Sequence, residues 1–143
     1  MPNPFQVTFD ANDPTLLAVF WAEALGYVLQ PPPDGFDSWD DFADEFGIPE
    51  EDRDNLAAIV DPSGEGPRVL FQKVPEVKSA KNRVHLDVSS ASRDLPRDER
   101  RTAINEESDR LAGLGASWVE DFNEPTGVWT VMRDPEGNEF CVH

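Results

Sequence analysis

The 143-residue sequence has little cysteine, few basic side chains and no long apolar run. Its single cysteine, Cys141, excludes an internal disulfide and favours a cytoplasmic location. Twelve basic residues stand against 29 acidic ones, for a net charge of −17, so we expect neither a nucleic-acid partner nor an anionic membrane surface. No stretch approaches the roughly 20 apolar residues that span a bilayer. The N-terminus, MPNPFQVTFD, also lacks the basic and apolar segments of a signal peptide.

Several catalytic signatures are missing as well. The sequence contains no Ser-His-Asp order, no paired-cysteine zinc spacing and no glycine-rich phosphate loop, since GEGPR is too short and reads as a turn. What remains is a normal globular composition, with 38% hydrophobic and 29% charged residues. The length suits one compact domain, residues 1–143, or two small halves that share a core.

The first half begins with an alternation of apolar and polar residues, and a helical pattern follows it. FQVTFDA places Phe5, Val7 and Phe9 on one face, which predicts a half-buried strand. Asp13 is the expected N-cap of a helix that ends at Gly26. Short strands follow at YVLQ, LAAIVD and PRVLFQKV, the last two as a hairpin.

The segment 34–55 interrupts this half and is its most acidic part. Trp39, Phe42 and Phe46 recur at helical spacing, which predicts a short amphipathic helix. The simplest interpretation is an acidic, solvated face above an aromatic stripe that packs on the core. The alternative is a contact surface for a partner protein.

The second half repeats the order of the first. RVHLDVSS predicts a strand with Val84, Leu86 and Val88 buried, and residues 97–114 predict a charged helix whose apolar side carries Ile104, Leu111 and Leu114. ASWVEDF, VWTVMRD and NEFCVH predict three strands. We therefore expect an α+β fold of two βαβββ modules, residues 4–75 and 82–143, related by a spacing of about 78 residues.

Side-chain parity predicts where the polar residues of these strands point. A helix covers the apolar face of each sheet, so the opposite face lines a cleft enclosed by the curved mixed sheet. The polar side chains expected on that face are Gln6, Gln72, His85, Glu139 and Cys141.

The stretches FQVTFDANDPTLLAVFWAEALGY, GPRVLFQKVPEVKSAKNRVHLDV and DPEGNEFCVH together resemble the vicinal oxygen chelate superfamily, also called the glyoxalase/bleomycin-resistance/dioxygenase superfamily. The likeness covers almost the whole chain and is strongest to glyoxalase-like domains of actinobacterial type. The DP-acidic-GN turn before the last strand is its most specific element.

The resemblance implies four metal ligands, from the first and last strands of each half. They fall on Gln6, Gln72, His85 and Cys141, with Glu139 as the candidate catalytic base. The set departs from the family pattern, because Cys141 stands where a glutamate is usual and two neutral amides bind divalent ions weakly. Each residue also has a plainer interpretation: a cleft histidine bonded to a neighbour, a buried thiol, a solvated carboxylate and amides bonded to the backbone.

The resemblance leaves two functions open. One is an enzyme, a lyase, isomerase or dioxygenase, which uses Zn, Ni, Mn or Fe to hold vicinal oxygens of a small molecule. The other is a metal-free binding protein that sequesters its ligand, as bleomycin-resistance proteins do. The resemblance also implies a homodimer.

Overall fold

The computed structural model describes residues 1–143 and divides into two compact units, Met1–Val77 and Lys78–His143. Each unit contains one strand, a long helix and three further strands, so the α+β fold of two βαβββ modules is confirmed. The first unit comprises β1 (Val7–Ala11), α1 (Pro14–Leu25), β2 (Val28–Leu29), α2 (Trp39–Glu45), a 3-10 turn (Glu50–Asp52), β3 (Leu56–Val60) and β4 (Val69–Lys73). The second comprises β5 (Asp87–Val88), α3 (Arg97–Gly113), β6 (Ser117–Glu124), β7 (Gly127–Arg133) and β8 (Glu139–Val142).

The two units have the same sheet topology. The strand orders are β1-β4-β3-β2 and β5-β8-β7-β6, which gives two four-stranded sheets. In each sheet the first strand is parallel to the last, while the other neighbours are antiparallel. The first and last strands of each unit therefore lie side by side, which decides which side chains can meet.

Helix α1 begins and ends where local chemistry predicts. The Asp13 carboxylate accepts a hydrogen bond from the Leu16 N–H at 3.1 Å and caps the first turn. Gly26 has a φ of 70°, a left-handed conformation that glycine adopts without a Cβ penalty. The helix buries Leu17 and Trp21 against the sheet.

The second unit has its own core between α3 and one face of the sheet. Ile104 and Leu111 of α3 are buried, as are Met132, Phe140 and Val142 of the strands. The expectation for Leu114 is wrong: it lies beyond the helix and is 39% exposed. No helix of the chain combines the length and apolar character needed to cross a membrane.

The strand predicted over residues 83–90 is much shorter in the structure. Only Asp87–Val88 is paired, and Val84, expected to be buried, is 81% exposed. Asp87 pairs with Cys141 in a parallel register. Residues before 85 therefore lie opposite the turn that precedes β8, where there is no strand to pair with. For the same reason Phe5, which precedes β1, is exposed.

The acidic segment forms α2, capped by the Ser38 hydroxyl. Its aromatic rings pack mainly on one another: Phe42 lies 4.6 Å from Phe46 and 5.5 Å from Trp39 between ring centroids. Phe46 is 64% exposed and Trp39 46% exposed. The expectation that this stripe is buried on the core is wrong for these two rings.

Candidate functional site

The site is built on the sheet face of the second unit that α3 does not cover. Cys141 of β8 pairs with Asp87 on one side and Val131 on the other, so these three residues share a face. His85 lies two residues before Asp87 and Glu139 two before Cys141, which places both on that face as predicted from parity. The alternate residues Phe140 and Val142 are fully buried on the other face.

His85, Asp87 and Cys141 come together on this face. The His85 Nε2 lies 3.2 Å from a carboxylate oxygen of Asp87. One nitrogen, oxygen or sulfur atom from each of the three side chains lies within 4.8 Å of the others. Asp87 was not among the predicted ligands, although its position two residues after His85 on the same face was a usable signal.

Cys141 is held in its thiol form. Burial raises the pKa of the Cys141 thiol, and the charge of Asp87 and a hydrogen bond to its carboxylate raise it further, while Lys81 opposes the shift. A neutral thiol is a poor nucleophile and a poor metal ligand until its proton is lost. Binding of a cation at this point would therefore release a proton.

The donor set suits a divalent metal ion. Nitrogen, carboxylate oxygen and sulfur are the three kinds of ligand that zinc accepts, and three protein ligands leave a position for water or substrate. Ligand atoms at about 2.0–2.3 Å from zinc are about 3.3–3.8 Å from one another. The present separations of up to 4.8 Å exceed that range, so the half-exposed side chains of His85 and Asp87 would have to move closer to Cys141 to hold one ion with it.

Glu139 is engaged elsewhere. Its carboxylate accepts a hydrogen bond from the Asn82 N–H at 3.0 Å and lies 3.1 Å from the Lys78 ammonium, which also donates to the Ala80 carbonyl. Partial burial acts to raise the pKa of Glu139, but these donors and its own N–H outweigh it and lower the pKa to about 2. Such a carboxylate is a weak proton acceptor at neutral pH.

The two predicted glutamine ligands do not meet. Gln72 donates to Asp10 at 2.8 Å, and Gln6 accepts from Arg68 at 3.0 Å. The backbone N–H of Val7 bonds to the Arg68 carbonyl, so Gln6 lies beside Arg68. Gln72 is four residues further along β4, about 13 Å at the usual rise of a strand.

Strand register identifies the counterpart of Cys141 in the first unit. Cys141 pairs with Asp87, which lies two positions after His85. Leu70 pairs with Thr8, two positions after Gln6. The first unit therefore presents an aliphatic side chain, Leu70, where the second presents a thiol, and Gln72 lies two residues beyond that position.

A cleft of about 710 Å³ lies within the second unit and includes the candidate ligands. Phe122 and Trp129 line it as a stacked pair, with ring centroids 5.1 Å apart and planes 7° from parallel. Lys81, Arg93 and Arg100 also border it. An aromatic wall beside polar groups is typical of sites for small organic molecules.

Two topologically identical βαβββ units with polar groups at their first and last strands define the class of fold shared by glyoxalases, bleomycin-resistance proteins and dioxygenases. Residues 6–143 match the family model of the glyoxalase-like domain. The chain belongs to that family. Comparison with curated protein sequences gives no match.

Solved structures share the fold along the whole chain. The fosfomycin resistance protein FosX from Listeria monocytogenes has a TM-score of 0.62 at 9% identity, covering 100% of this chain and 93% of that one. A glyoxalase/bleomycin resistance protein/dioxygenase family enzyme from Burkholderia phytofirmans gives 0.62 at 13%, covering 96% and 94%. TioX from Micromonospora gives 0.52 at 17%, covering 99% and 97%. At these identities the likeness establishes the fold alone, and the actinobacterial type stays a prediction.

Proposed function

We propose that the cleft of residues 78–143 binds a small organic molecule beside a divalent metal ion held by His85, Asp87 and Cys141. The observation that carries this proposal is the convergence of three different donor atoms within 4.8 Å in a cleft that also has an aromatic wall. The ion would supply a Lewis acid that polarises an oxygen of the bound molecule. The presence of sulfur and nitrogen favours zinc over manganese among the metals considered.

Different residues of the cleft would bind the metal ion and the organic ligand. Cys141 would give up its proton as it takes the ion. Asp87, which lies beside His85 and accepts a hydrogen bond from the thiol, would join the two as the carboxylate ligand. Phe122 and Trp129 would pack against the planar or apolar part of the ligand. A structure of FosX exists in complex with Mn(II) and 1S,2S-dihydroxypropylphosphonic acid, and a metal-assisted lyase, isomerase or dioxygenase reaction is the corresponding proposal for this chain.

Glu139 stays a predicted catalytic base, but its contacts argue against that role. A carboxylate with a pKa of about 2, bound by Lys78 and the Asn82 N–H, gains little by taking a proton at pH 7.

Metal analysis of the purified protein tests the proposal. We expect about one equivalent of zinc after equilibration with zinc salt and desalting, and its loss in His85→Ala. The matched control is His143→Ala, which removes the other histidine of the chain but no member of the three-residue group. Retention of zinc by His85→Ala, or none in the wild type, contradicts the metal site.

A second candidate function is a metal-free binding protein that sequesters its ligand. It is favoured by the neutral thiol of Cys141 and by the occupied amides of Gln6 and Gln72. A thermal-shift screen of a small-molecule library on metal-stripped protein tests it: stabilisation by a ligand without zinc supports the binder, and stabilisation only with zinc contradicts it.

A homodimer in the cytoplasm is the remaining proposal. Sizeable apolar side chains are exposed in both units, including Phe46 and Trp118, and such residues are commonly covered by association. Sedimentation equilibrium at micromolar concentration measures the mass, and a mass near the 16.0 kDa of one chain contradicts the dimer.

A further inference from the structure

Arg68 differs from the other arginine of the first unit in its partners. Residues 1–77 contain sixteen acidic and three basic residues, a net charge of −13. Arg53 bonds to Asp44 at 2.6 Å and lies 3.6 Å from Asp40. Arg68 instead donates only to neutral amides: its Nε to Gln30 at 2.8 Å and its Nη1 to Gln6 at 3.0 Å. Arg68 therefore forms no ion pair, although its unit is rich in carboxylates.

The guanidinium is also held in a fixed place. Gln6 comes from the segment before β1 and Gln30 from the residue after β2, and both are tied to the sheet through the backbone at Val7 and Ala58. Two of the five guanidinium N–H donors are used, so three remain, including both on Nη2. An arginine already oriented loses little side-chain entropy when it binds an oxyanion in a bidentate manner.

The sheet surface next to Arg68 is apolar at Leu70 and Ala58 and polar at Thr8. Leu70 is two residues further along β4 on the same face, and its neighbours across the sheet are Thr8 and Ala58. Leu70 and Ala58 are half-buried. A molecule with one anionic end and an apolar body therefore matches this surface.

We propose that Arg68, oriented by Gln6 and Gln30, binds the carboxylate of a small organic anion whose apolar body lies on Leu70. The proposal rests on the proposed function only in that the ligand of this chain is a small molecule. It assigns Gln6 a positioning role, and it names a class of ligand that the strongly acidic surface would otherwise repel.

The competing explanation is structural: Arg68 could serve only to tie β1, β4 and the end of β2 together. Two probes of the same shape and different charge, benzoate and benzamide, separate the explanations. Binding to the full-length chain is followed by amide chemical shifts in a two-dimensional NMR titration. We expect benzoate to shift residues of β1 and β4 and benzamide to bind at least about tenfold more weakly, because hydrogen bonds between charged partners are the stronger ones.

Three variants complete the test. Arg68→Gln is expected to weaken benzoate binding about tenfold or more, while the exposed Arg133→Gln, with the same charge change, leaves it unaltered. Gln30→Glu keeps a hydrogen bond to Arg68 but neutralises the charge of the arginine. This variant should therefore abolish benzoate binding without destabilising the sheet. A purely structural arginine predicts no such loss.

Equal affinity for benzoate and benzamide, no benzoate binding, or full binding by Gln30→Glu each overturn the proposal. These outcomes are distinguishable from failure of the metal site, because zinc content depends on His85 and is measured separately. If the chain retains zinc but does not bind benzoate, only the inference about Arg68 is refuted.

Discussion

Replacing Glu139 by glutamine tests whether its carboxylate is a structural anchor. The group has a pKa of about 2 in the folded chain against an ordinary value of 4.5. At 1.36 kcal/mol per pKa unit, this shift corresponds to at most about 3.4 kcal/mol of stability at pH 7. Side-chain exposures of 21% for Lys78 and 15% for Glu139 allow solvent screening, so we expect a loss of about 1–3 kcal/mol.

The pH dependence follows from the sign of the shift. A carboxylate whose pKa is lowered by folding contributes its full stability above the unfolded pKa of about 4.5 and loses it as the pH falls toward 2. The difference between wild type and Glu139→Gln should therefore be largest at pH 7 and fall to less than half at pH 3. Urea unfolding followed by far-ultraviolet circular dichroism measures it at both values.

The matched control is Glu120→Gln, which neutralises an exposed glutamate on β6. It should change the free energy of unfolding by less than about 0.5 kcal/mol at either pH. Two results would contradict the structural role: a Glu139→Gln variant as stable as the wild type at pH 7, or a difference in free energy of unfolding that does not become smaller at pH 3. Either result would leave Glu139 available as a base.

Three further outcomes are expected. The rate of Cys141 alkylation by iodoacetamide should rise only at a higher pH than for a free thiol, and Asp87→Asn should move that rise to lower pH. A pH–rate profile that Asp87→Asn leaves unchanged contradicts the contact between Asp87 and Cys141. Phe140→Ala, at a fully buried position, should cost about 3–5 kcal/mol in urea unfolding, and a loss below about 1 kcal/mol would refute its core position. Asp13→Ala removes the α1 cap and should cost about 1 kcal/mol by the same assay, whereas no loss would contradict the cap.

The elements were predictable wherever the signal is local. Alternation in FQVTFDA, the cap at Asp13 and the glycine at 26 each depend on neighbouring residues, and the structure has the strand and helix in those places. The duplicated order of elements also predicted the repeated topology, because two copies of one pattern satisfy the same packing rules.

The site was only partly predictable, because parity gives a face but not a position along the strand. His85 and Cys141 meet since β5 and β8 are adjacent in a register that sequence does not reveal. Gln6 and Gln72 share a face as well, yet the register of β1 and β4 separates them by four residues. Parity also places Asp87 on that face, but only the register makes it the direct cross-strand neighbour of Cys141.

Cobalt substitution tests the central claim, the meeting of His85, Asp87 and Cys141, most directly. Co²⁺ added to the metal-free chain should give a near-ultraviolet charge-transfer band from a cobalt–thiolate bond, with about one equivalent at saturation. The band should vanish in Cys141→Ser and weaken in Asp87→Asn. A wild-type chain that takes up cobalt without this band, or a band that survives in Cys141→Ser, contradicts the site.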